Sequence, residues 1–325
     1  TSGFDDLRRH LKNYPPEIME EQTGIDADLI REVAHLYAKT SKGIIFWGMG
    51  VSQHVHGTDN ARCLISLALM TGNVGRRGSG LHPLRGQNNV QGASDAGLIP
   101  MMYPDYQLVE KDDKQNFFEK FWNTPLDDKK GLTVVEIMDA IHENTIKGMY
   151  ILGENPAMSD PDLNHAREAL QILEHLVVQD IFLTETATYA DVIFPASAWP
   201  EKNGTATNTN RQVQMGRKAL DAPGAAKEDW WITNELGKRM GLDWKYEHPR
   251  EIYEEMSKTM PSLNNITWDR LENENSVTYP SRSPTTPGDE IVFGDKFPNE
   301  SGRGKFVPAS VTSPNEVPDE EFEMI

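Results

Sequence analysis

A short apolar strand, a glycine-containing turn and a helix follow one another in this chain, and this order constrains the fold more than any other feature. Residues 43–48 are an apolar run that ends in Gly48-Met49-Gly50, and helical spacing of apolar residues then extends from about Thr58 to Met70. Parallel strands need such crossover helices, so the sequence predicts an α/β fold built from parallel-sheet, Rossmann-like pieces. Further strands are predicted at residues 148–153, 175–180 and 190–195, and further helices from an Asp26 N-cap and at residues 134–141, 161–173 and 227–240.

Polar segments follow three of the predicted strands. Gly48-Met49-Gly50, Gly153-Glu154-Asn155-Pro156 and Gln179-Asp180 stand at strand carboxyl ends. Ligands of open parallel sheets bind outside these ends, so the three segments are expected to line one ligand crevice. There Asp180 or Glu154 could accept hydrogen bonds from a guanine edge, and helix N-termini could take a pyrophosphate. The alternative interpretation of each segment is an ordinary turn.

The segment Pro83-Leu84-Arg85-Gly86-Gln87-Asn88-Asn89-Val90-Gln91-Gly92 is the most polar motif of the chain. A run with so few apolar residues favours neither a helix face nor a strand face, so a loop is predicted. The Arg85 guanidinium offers a two-pronged donor for a carboxylate or phosphate, and the amide side chains offer both donors and acceptors. The segment therefore predicts either a loop that binds a polar anion or a hydrated surface loop.

Composition excludes several classes of function. The chain of 325 residues has a net charge of -18, which argues against nucleic acid or an anionic membrane as a partner. No apolar run approaches the roughly 20 residues of a membrane span, and no signal peptide is visible, so no membrane insertion and a cytoplasmic location are expected. The chain lacks a starting Met, so its N-terminus could be a cut.

Cysteine and histidine usage limits the metal chemistry of the chain. Its single cysteine, Cys63, excludes internal disulfides and an iron–sulfur cluster held by this chain alone, since such a cluster needs about four thiolates. Cys63 is expected to be an inert thiol buried in a helix. His54 and His56 lack a third ligand at metal spacing, so they are interpreted as solvated or structural and no metal site is predicted.

The second half of the sequence has weaker signals. Residues 201–211 are polar enough for either a ligand loop or a hairpin. Regular patterns fade after Asn264, residues 281–287 have the composition of a linker, and residues 304–308 form a possible strand. The last residues, 318–325, resemble the beginning of a further strand.

Taken in order, these motifs resemble the catalytic subunit of molybdenum- or tungsten-dependent formate dehydrogenases, in the molybdopterin oxidoreductase (dimethyl sulfoxide reductase) superfamily. The RGQNNVQG sequence is specific to formate dehydrogenases, and the residues after it resemble the soluble NAD-linked type. Most of the other motifs occur throughout the superfamily. The resemblance covers nearly the whole chain and rests on residues 47–53, 69–75, 83–95, 153–156, 178–187, 190–195, 201–205 and 302–306.

The resemblance implies oxidation of formate to carbon dioxide at a molybdenum or tungsten centre held by bis-molybdopterin guanine dinucleotide. It implies that Arg85 holds formate and that Gln87 lines the same pocket. Electrons would pass through iron–sulfur and flavin subunits to NAD or another acceptor. The residues that would bind one guanine dinucleotide are Met49, Gln53, Gly153, Glu154, Asn155, Ser159, Gln179, Asp180 and Thr184.

The resemblance also implies four segments. Residues 1–85 would be an α/β segment that contributes the substrate-pocket arginine, and 86–200 a Rossmann-like segment that binds molybdopterin guanine dinucleotide. Residues 201–285 would be a connecting helical or irregular segment, and 286–325 the start of a truncated, β-barrel-like C-terminal cofactor domain.

The chain departs from the family pattern in one respect. The family's cluster-binding cysteines, its metal-ligating cysteine or selenocysteine and the adjacent catalytic histidine are absent. The chain is therefore interpreted as an internal fragment, inactive alone, whose [4Fe–4S] cluster belongs to the full-length protein.

Three rival hypotheses remain. Another molybdopterin enzyme, such as a nitrate reductase, is disfavoured by the Arg85 loop. A non-catalytic scaffold subunit of a respiratory complex is disfavoured because it has no need of Arg85 and Gln87. A nicotinamide dehydrogenase is disfavoured by the incomplete glycine fingerprint and by the lack of a suitably placed acidic residue after it.

Overall fold

The computed structural model describes residues 1–310 and divides the chain into two compact units. Unit 1 comprises Thr1–Gln87 and the described part of the segment that begins at Asp289. Unit 2 comprises Asn88–Gly288. The chain therefore passes from unit 1 to unit 2 within the RGQNNVQG motif. The division into four functional segments stays a prediction.

Unit 1 places a two-stranded parallel sheet among helices. Strands β1 and β2 pair in parallel from Ile44↔Gly80 to Trp47↔Pro83. The third helix begins where Asp26 accepts hydrogen bonds from the Asp28 and Leu29 amides, as the predicted N-cap requires. The elements are α1 (Phe4–His10), α2 (Pro16–Thr23), α3 (Ala27–Lys39), β1 (Ile44–Trp47), α4 (Met49–Ser52), α5 (Gly57–Met70) and β2 (Gly80–Pro83).

Unit 2 contains a parallel sheet of three strands, β5 (Gly148–Leu152), β6 (His175–Asp180) and β7 (Val192–Pro195), which lie in this order. Buried apolar side chains, among them Ile151, Leu176 and Val178, pack this sheet against its crossover helices. The elements in this half of the unit are α6 (Val90–Asp95), β3 (Met102–Tyr103), β4 (Gln107–Leu108), α7 (Asp112–Trp122), α8 (Val134–His142), β5 (Gly148–Leu152), α9 (Pro156–Ser159), α10 (Leu163–Ile172), β6 (His175–Asp180) and β7 (Val192–Pro195).

A second sheet of unit 2 is antiparallel, and its strands lie in the order β10 (Ser276–Thr278), β9 (Gln212–Gly216) and β8 (Gly204–Thr207). Val213, Tyr253 and Leu271 belong to the apolar cluster that packs this sheet against its helices. The elements are β8 (Gly204–Thr207), β9 (Gln212–Gly216), α11 (Asp229–Arg239), α12 (Pro249–Thr259), α13 (Trp268–Glu274) and β10 (Ser276–Thr278).

The predicted α/β class with parallel sheets is confirmed, and the predicted strands and helices lie within a few residues of their expected positions. Of the two alternatives for residues 201–211, the structure has the hairpin, β8–β9. The possible β-barrel start at the C-terminal end includes residues 311–325, which lie outside the described residues, as does the strand suggested at 318–325.

Two local predictions about regular structure are wrong. Regular structure continues after Asn264, because the short helix α13 packs against the hairpin sheet and β10 pairs with β9. Residues 304–308 form no strand; Lys305 makes only an isolated bridge with Ser2.

The predictions for the polar motif and for Cys63 also need correction. Pro83 ends β2 and Val90 begins α6, so the loop is shorter than the motif. Cys63 is exposed on α5, whose buried positions are Gly57, Ser66 and Ala68, although partial burial and the nearby Asp59 raise the pKa of the thiol.

Candidate functional site

The carboxyl edge of the β5-β6-β7 sheet opens at Gly153. This residue has a φ of 67°, a conformation that glycine adopts without strain, and its N–H donates to the Gln179 carbonyl over 2.9 Å. No heavy atom lies within 4 Å of the position that a Cβ would occupy at Gly153. The backbone at this strand end is therefore open to the approach of a ligand.

Asn155 ties the exit of β5 to the loop that follows β6. Its Oδ1 accepts hydrogen bonds from the Thr186 amide (3.1 Å) and hydroxyl (2.7 Å), and its Nδ2 donates to Glu185 over 2.8 Å. The Thr186 hydroxyl oxygen also accepts from the Ala157 amide over 3.0 Å. The hydrogen bond from Asn155 holds the pKa of Glu185 below its usual range. Asn155 therefore fixes two strand-end loops relative to each other.

Asp180 is the last residue of β6. Its Oδ1 accepts from the amides of Ile181 (2.6 Å) and Phe182 (3.3 Å), which turns the chain sharply at the strand end. Its Oδ2 has no hydrogen-bond partner among residues 1–310. One oxygen thus orients the carboxylate, and the other is left to accept from a ligand N–H.

Gln179 lies directly before Asp180, but its side chain is fully buried, with 0% exposure. Tyr150 donates its hydroxyl to Gln179 Oε1, and Gln179 Nε2 donates to Asp229 Oδ1 over 2.7 Å. Asp229 in turn pairs with Lys202. The side-chain amide of Gln179 therefore makes its hydrogen bonds within unit 2, and these bonds stabilise this edge of the sheet.

Two other predicted residues make local contacts. Ser159 donates its hydroxyl to the Asn155 carbonyl over 3.2 Å, and the Thr184 hydroxyl oxygen accepts from the Ala187 amide over 3.3 Å. Glu154 is exposed, and its charge contributes, after burial, to the raised pKa of Asp160.

Sequence analysis missed five side chains of these contacts, namely Tyr150, Glu185, Thr186, Lys202 and Asp229. Three threonines, Thr184, Thr186 and Thr188, follow β6 in the sequence, and this polar cluster was a signal for Thr186. Asp229 gave none, because it lies 50 residues from Gln179 in the chain.

In unit 1, Met49 and Gln53 bracket the helical turn that follows β1. Met49 begins α4 and is 61% exposed, and the Gln53 amide donates to the Met49 carbonyl over 2.7 Å. His54 Nε2 lies 2.8 Å from the Gly50 carbonyl oxygen. Within residues 1–310, no three His, Cys, Asp or Glu side chains are grouped as metal ligands.

Arg85 and Gln87 follow β2 and are exposed. Neither side chain has a hydrogen-bond or ion-pair partner among the described residues. Arg31 and Arg62 of unit 1 pair with carboxylates, whereas the exposed Arg8 and Arg77 are like Arg85 in having no partner among the described residues. An unpaired guanidinium in a chain of net charge -18 is suited to an anionic ligand that comes from outside the chain.

The predicted residues are thus divided between the units. Met49, Gln53, Arg85 and Gln87 belong to unit 1, and the seven others belong to unit 2. That they share one crevice stays a prediction. The open backbone at Gly153 and the free Asp180 oxygen fit the guanine end of a dinucleotide, whose edge carries N–H donors.

Comparison with known proteins identifies the family to which these parallel α/β units and the Arg85 loop belong. The family model described as molybdopterin oxidoreductase matches residues 8–239, and the chain belongs to this family. The family resemblance inferred from the motifs is confirmed.

Two relatives carry the name of F420-dependent formate dehydrogenase alpha subunits. The protein from Methanocaldococcus jannaschii is 44% identical over 327 residues and the second one from Methanococcus maripaludis 41% over 328; each match covers 100% of this chain and 48% of the relative. A probable oxidoreductase from Bacillus subtilis, YjgC, is 38% identical over 98% of this chain and 32% of its own length. The chain thus spans about half the length of the first two relatives. Their names specify F420 and lend no support to the predicted NAD-linked type.

A solved structure supports the fold. Acetylene hydratase from Pelobacter acetylenicus matches 90% of this chain and 43% of its own, with a TM-score of 0.62 and 19% identity. At this identity the likeness shows the fold alone, because one fold supports different reactions. Of the helices in the described part of the chain, none is both long and apolar enough to cross a bilayer.

Proposed function

We propose that this chain is part of the catalytic subunit of a formate dehydrogenase, which oxidises formate to carbon dioxide, a proton and two electrons. The observation that carries the proposal is the unpartnered guanidinium of Arg85 in the RGQNNVQG loop. The names of the relatives support the same substrate. A nitrate reductase and a scaffold subunit are the rival functions.

Arg85 is proposed to bind the substrate carboxylate. A guanidinium and a carboxylate form two parallel N–H···O bonds, which fix the plane of formate as well as its position. With both oxygens held, the C–H bond of formate has one orientation, so the bound substrate is already oriented for reaction. Gln87, two residues further on, is proposed to line the same pocket through its amide.

The strand ends of unit 2 are proposed to hold one guanine dinucleotide of a bis-molybdopterin cofactor with molybdenum or tungsten. Asp180 would accept from the guanine edge through Oδ2, and Gly153 would allow close approach of the ligand to the backbone. Gln179, through its buried hydrogen bonds, would position rather than bind. In unit 1, Met49 and Gln53 are proposed as additional contacts. When bound, such a cofactor supplies the redox chemistry by taking up the two electrons of formate.

The electrons are proposed to leave through a [4Fe–4S] cluster that this chain does not ligate and through iron–sulfur and flavin partner subunits. The final acceptor is either NAD, as the residues after the motif suggested, or F420, as the names of two relatives suggest. The expected cytoplasmic location stays a prediction.

The test is made on the cofactor-loaded protein that contains this chain. Metal and pterin content are measured first, then formate-dependent reduction of an artificial dye, and then reduction of NAD and of F420. Metal with two pterin equivalents and formate activity would support the proposal. Bound cofactor without formate activity would move the function to another substrate, with nitrate tested next, and lack of cofactor would favour the scaffold.

A further inference from the structure

The loop that bears Arg85 is fixed at its C-terminal end by one side chain, that of Asn89. Asn89 Oδ1 accepts a hydrogen bond from the Thr207 amide over 2.8 Å, across 118 residues of sequence. Thr207 belongs to β8, the edge strand of the hairpin sheet. The Asn89 carbonyl also accepts from the Ala93 amide over 2.8 Å, which starts α6. Asn89 therefore joins the start of α6 to the hairpin, both within unit 2.

Gly92 provides the space for this contact. A Cβ on Gly92 would lie 2.2 Å from Asn89 Oδ1 and 3.2 Å from the Thr207 nitrogen. Any larger residue at position 92 would push on the atoms of the Asn89–Thr207 hydrogen bond. The Asn89–Thr207 hydrogen bond therefore depends on the absence of a side chain at Gly92, one helical turn after Asn89.

A buried cluster holds the next turn of α6. Asp95 is 4% exposed, its Oδ1 accepts from Gln91 Nε2 over 2.7 Å, and its Oδ2 accepts from the Tyr279 hydroxyl over 2.9 Å. Burial, and then the charge of Asp95, raise the pKa of Tyr279, so its hydroxyl remains a donor. The helix that follows the loop is therefore attached to the core of unit 2 and not only to the surface.

The Arg85–Asn88 loop differs from this helix in the contacts that its side chains make. The side chains of Arg85, Gln87 and Asn88 have no partners among the described residues, whereas Leu84, at the other end, donates its amide to the Trp47 carbonyl over 2.7 Å. Unpartnered side chains next to an anchored residue suit a ligand loop, because binding groups need a backbone that is held in place.

We propose that Asn89 is a positioning residue, which fixes the unit 2 end of the Arg85–Asn88 loop for formate binding; this inference rests on the proposed function. It acts through the loop backbone and does not touch substrate. A shift of about 1 Å in a positioned group can lower a rate on the order of a hundredfold. Loss of the Asn89 anchor is therefore expected to reduce kcat/KM for formate by roughly tenfold to a hundredfold.

The decisive pair of variants is Asn89→Leu and Asn89→Asp. Leucine is similar in size but accepts no hydrogen bond, whereas aspartate keeps an oxygen that can accept from the Thr207 amide. The proposal expects a loss with Asn89→Leu and substantial rescue with Asn89→Asp. The matched control is Asn208→Leu, the same change in the same hairpin, since Asn208 Oδ1 accepts from the amides of Asn210 (2.9 Å) and Gln212 (3.1 Å).

Two readouts do not depend on the cofactor. Trypsin cleaves after arginine, so the rate of cleavage between Arg85 and Gly86 reports how firmly the loop is held. Hydrogen exchange of the Thr207 amide reports the anchor itself. Both rates should rise in Asn89→Leu, stay near wild type in Asn89→Asp, and stay near wild type at the loop in Asn208→Leu.

Gly92→Ala gives an independent test. Glycine to alanine within a helix is ordinarily favourable, so a loss at this position would come from contact of the added Cβ with the Asn89–Thr207 hydrogen bond. The fitted contact with Asn89 predicts instead faster cleavage after Arg85 and lower kcat/KM for formate.

The outcomes separate the two proposals. Wild-type protein that holds cofactor but does not oxidise formate would overturn the proposed function, and the cleavage and exchange rates would still decide whether Asn89 anchors the loop. Wild-type cleavage and exchange rates in Asn89→Leu would overturn the anchor even if formate oxidation is confirmed. A loosened loop with unchanged kcat and KM would show that the anchor does not serve the reaction.

Discussion

The β5 exit and the Arg85 loop are both strand-end segments, yet their polar side chains are treated in opposite ways. At the β5 exit, Asn155 uses both its amide oxygen and its amide nitrogen within unit 2. In the Arg85 loop, neither Arg85 nor Gln87 has a partner among the described residues. Sequence motifs gave these two segments similar weight as ligand-binding candidates.

The difference separates residues that build a site from residues that bind in it. A side chain whose donors and acceptors are already satisfied can bind little more, but its removal leaves other buried groups without partners. An unpartnered, exposed guanidinium costs the fold little and is available to an anion. We therefore expect changes at the β5 exit to affect stability and cofactor retention, and changes in the loop to affect turnover.

Arg85→Lys is expected to have the largest effect. Lysine keeps the charge but loses the two-pronged geometry, so the transition state loses one charge-assisted hydrogen bond, worth on the order of 2–3 kcal/mol. That corresponds to a decrease of roughly 30- to 150-fold in kcat/KM for formate, with metal content and thermal stability unchanged.

The matched control for this prediction is Arg62→Lys, in which a surface arginine of unit 1 that pairs with Asp59 is changed in the same way. Its kinetics should be those of the wild type. Unchanged formate kinetics in Arg85→Lys would place Arg85 outside the substrate pocket and remove the contrast between loop and strand end.

Gln179→Leu is expected to reduce stability. The change leaves the Tyr150 hydroxyl and Asp229 without their shared partner in a fully buried position, at a cost of about 1–3 kcal/mol. Thermal unfolding should show a lower midpoint than in Gln171→Leu, an exposed position on α10. If the two variants unfold at the same temperature, the buried hydrogen bonds contribute no net stability.

Asp180→Asn tests a side chain at the sheet edge that differs from Asn155, because one of its two carboxylate oxygens has no hydrogen-bond partner among the described residues. An amide keeps the Oδ1 contacts to the turn but can place an NH₂ donor where the ligand N–H groups would lie. We expect lower metal and pterin content at nearly unchanged thermal stability. Asp191→Asn, at the opposite edge of the same sheet, is the control, because its carboxylate accepts from the Leu176 amide. Full cofactor content in Asp180→Asn would exclude a direct role for Asp180.

Sequence predicted the elements that depend on local pattern. The Asp26 cap, the β5 and β6 strands and the crossover helix α10 are set by residues close together in the chain, and all were placed correctly. Gln179 shows the limit of this approach. Its polar character suggested a ligand contact, but Asp229, 50 residues away, supplies an internal partner that no local pattern reveals.

The predictions for Cys63 and for the segment after Asn264 were wrong for related reasons. Apolar neighbours suggested that Cys63 is buried, whereas the structure exposes it on α5. The short α13 helix is formed by packing of Trp268 and Leu271 against the hairpin sheet, which depends on tertiary contacts. Which side chains remain without partners is likewise a tertiary property, so the contrast between Arg85 and Asn155 could not be obtained from the motifs.

Asp160 gives the smallest predicted effect and tests the β5 exit through pH. Burial, and then the neighbouring Glu154, raise the pKa of this carboxyl above its ordinary value of about 3.9. The folded state therefore binds the proton more tightly than the unfolded state, so this group stabilises the fold at low pH and the contribution is lost as pH rises through the raised pKa. Asp160→Asn should be slightly more stable than the wild type at pH 7, and the difference should shrink as the pH is lowered. Glu154→Gln, followed by denaturant unfolding over the same pH series, separates the two causes. If Glu154→Gln reproduces only a minor part of the stability gained in Asp160→Asn, burial dominates the raised pKa. If Glu154→Gln reproduces all of that gain, repulsion between the two carboxylates is the cause. The exposed Glu154 would then be stabilised by any ligand that brings positive charge or N–H donors to this edge.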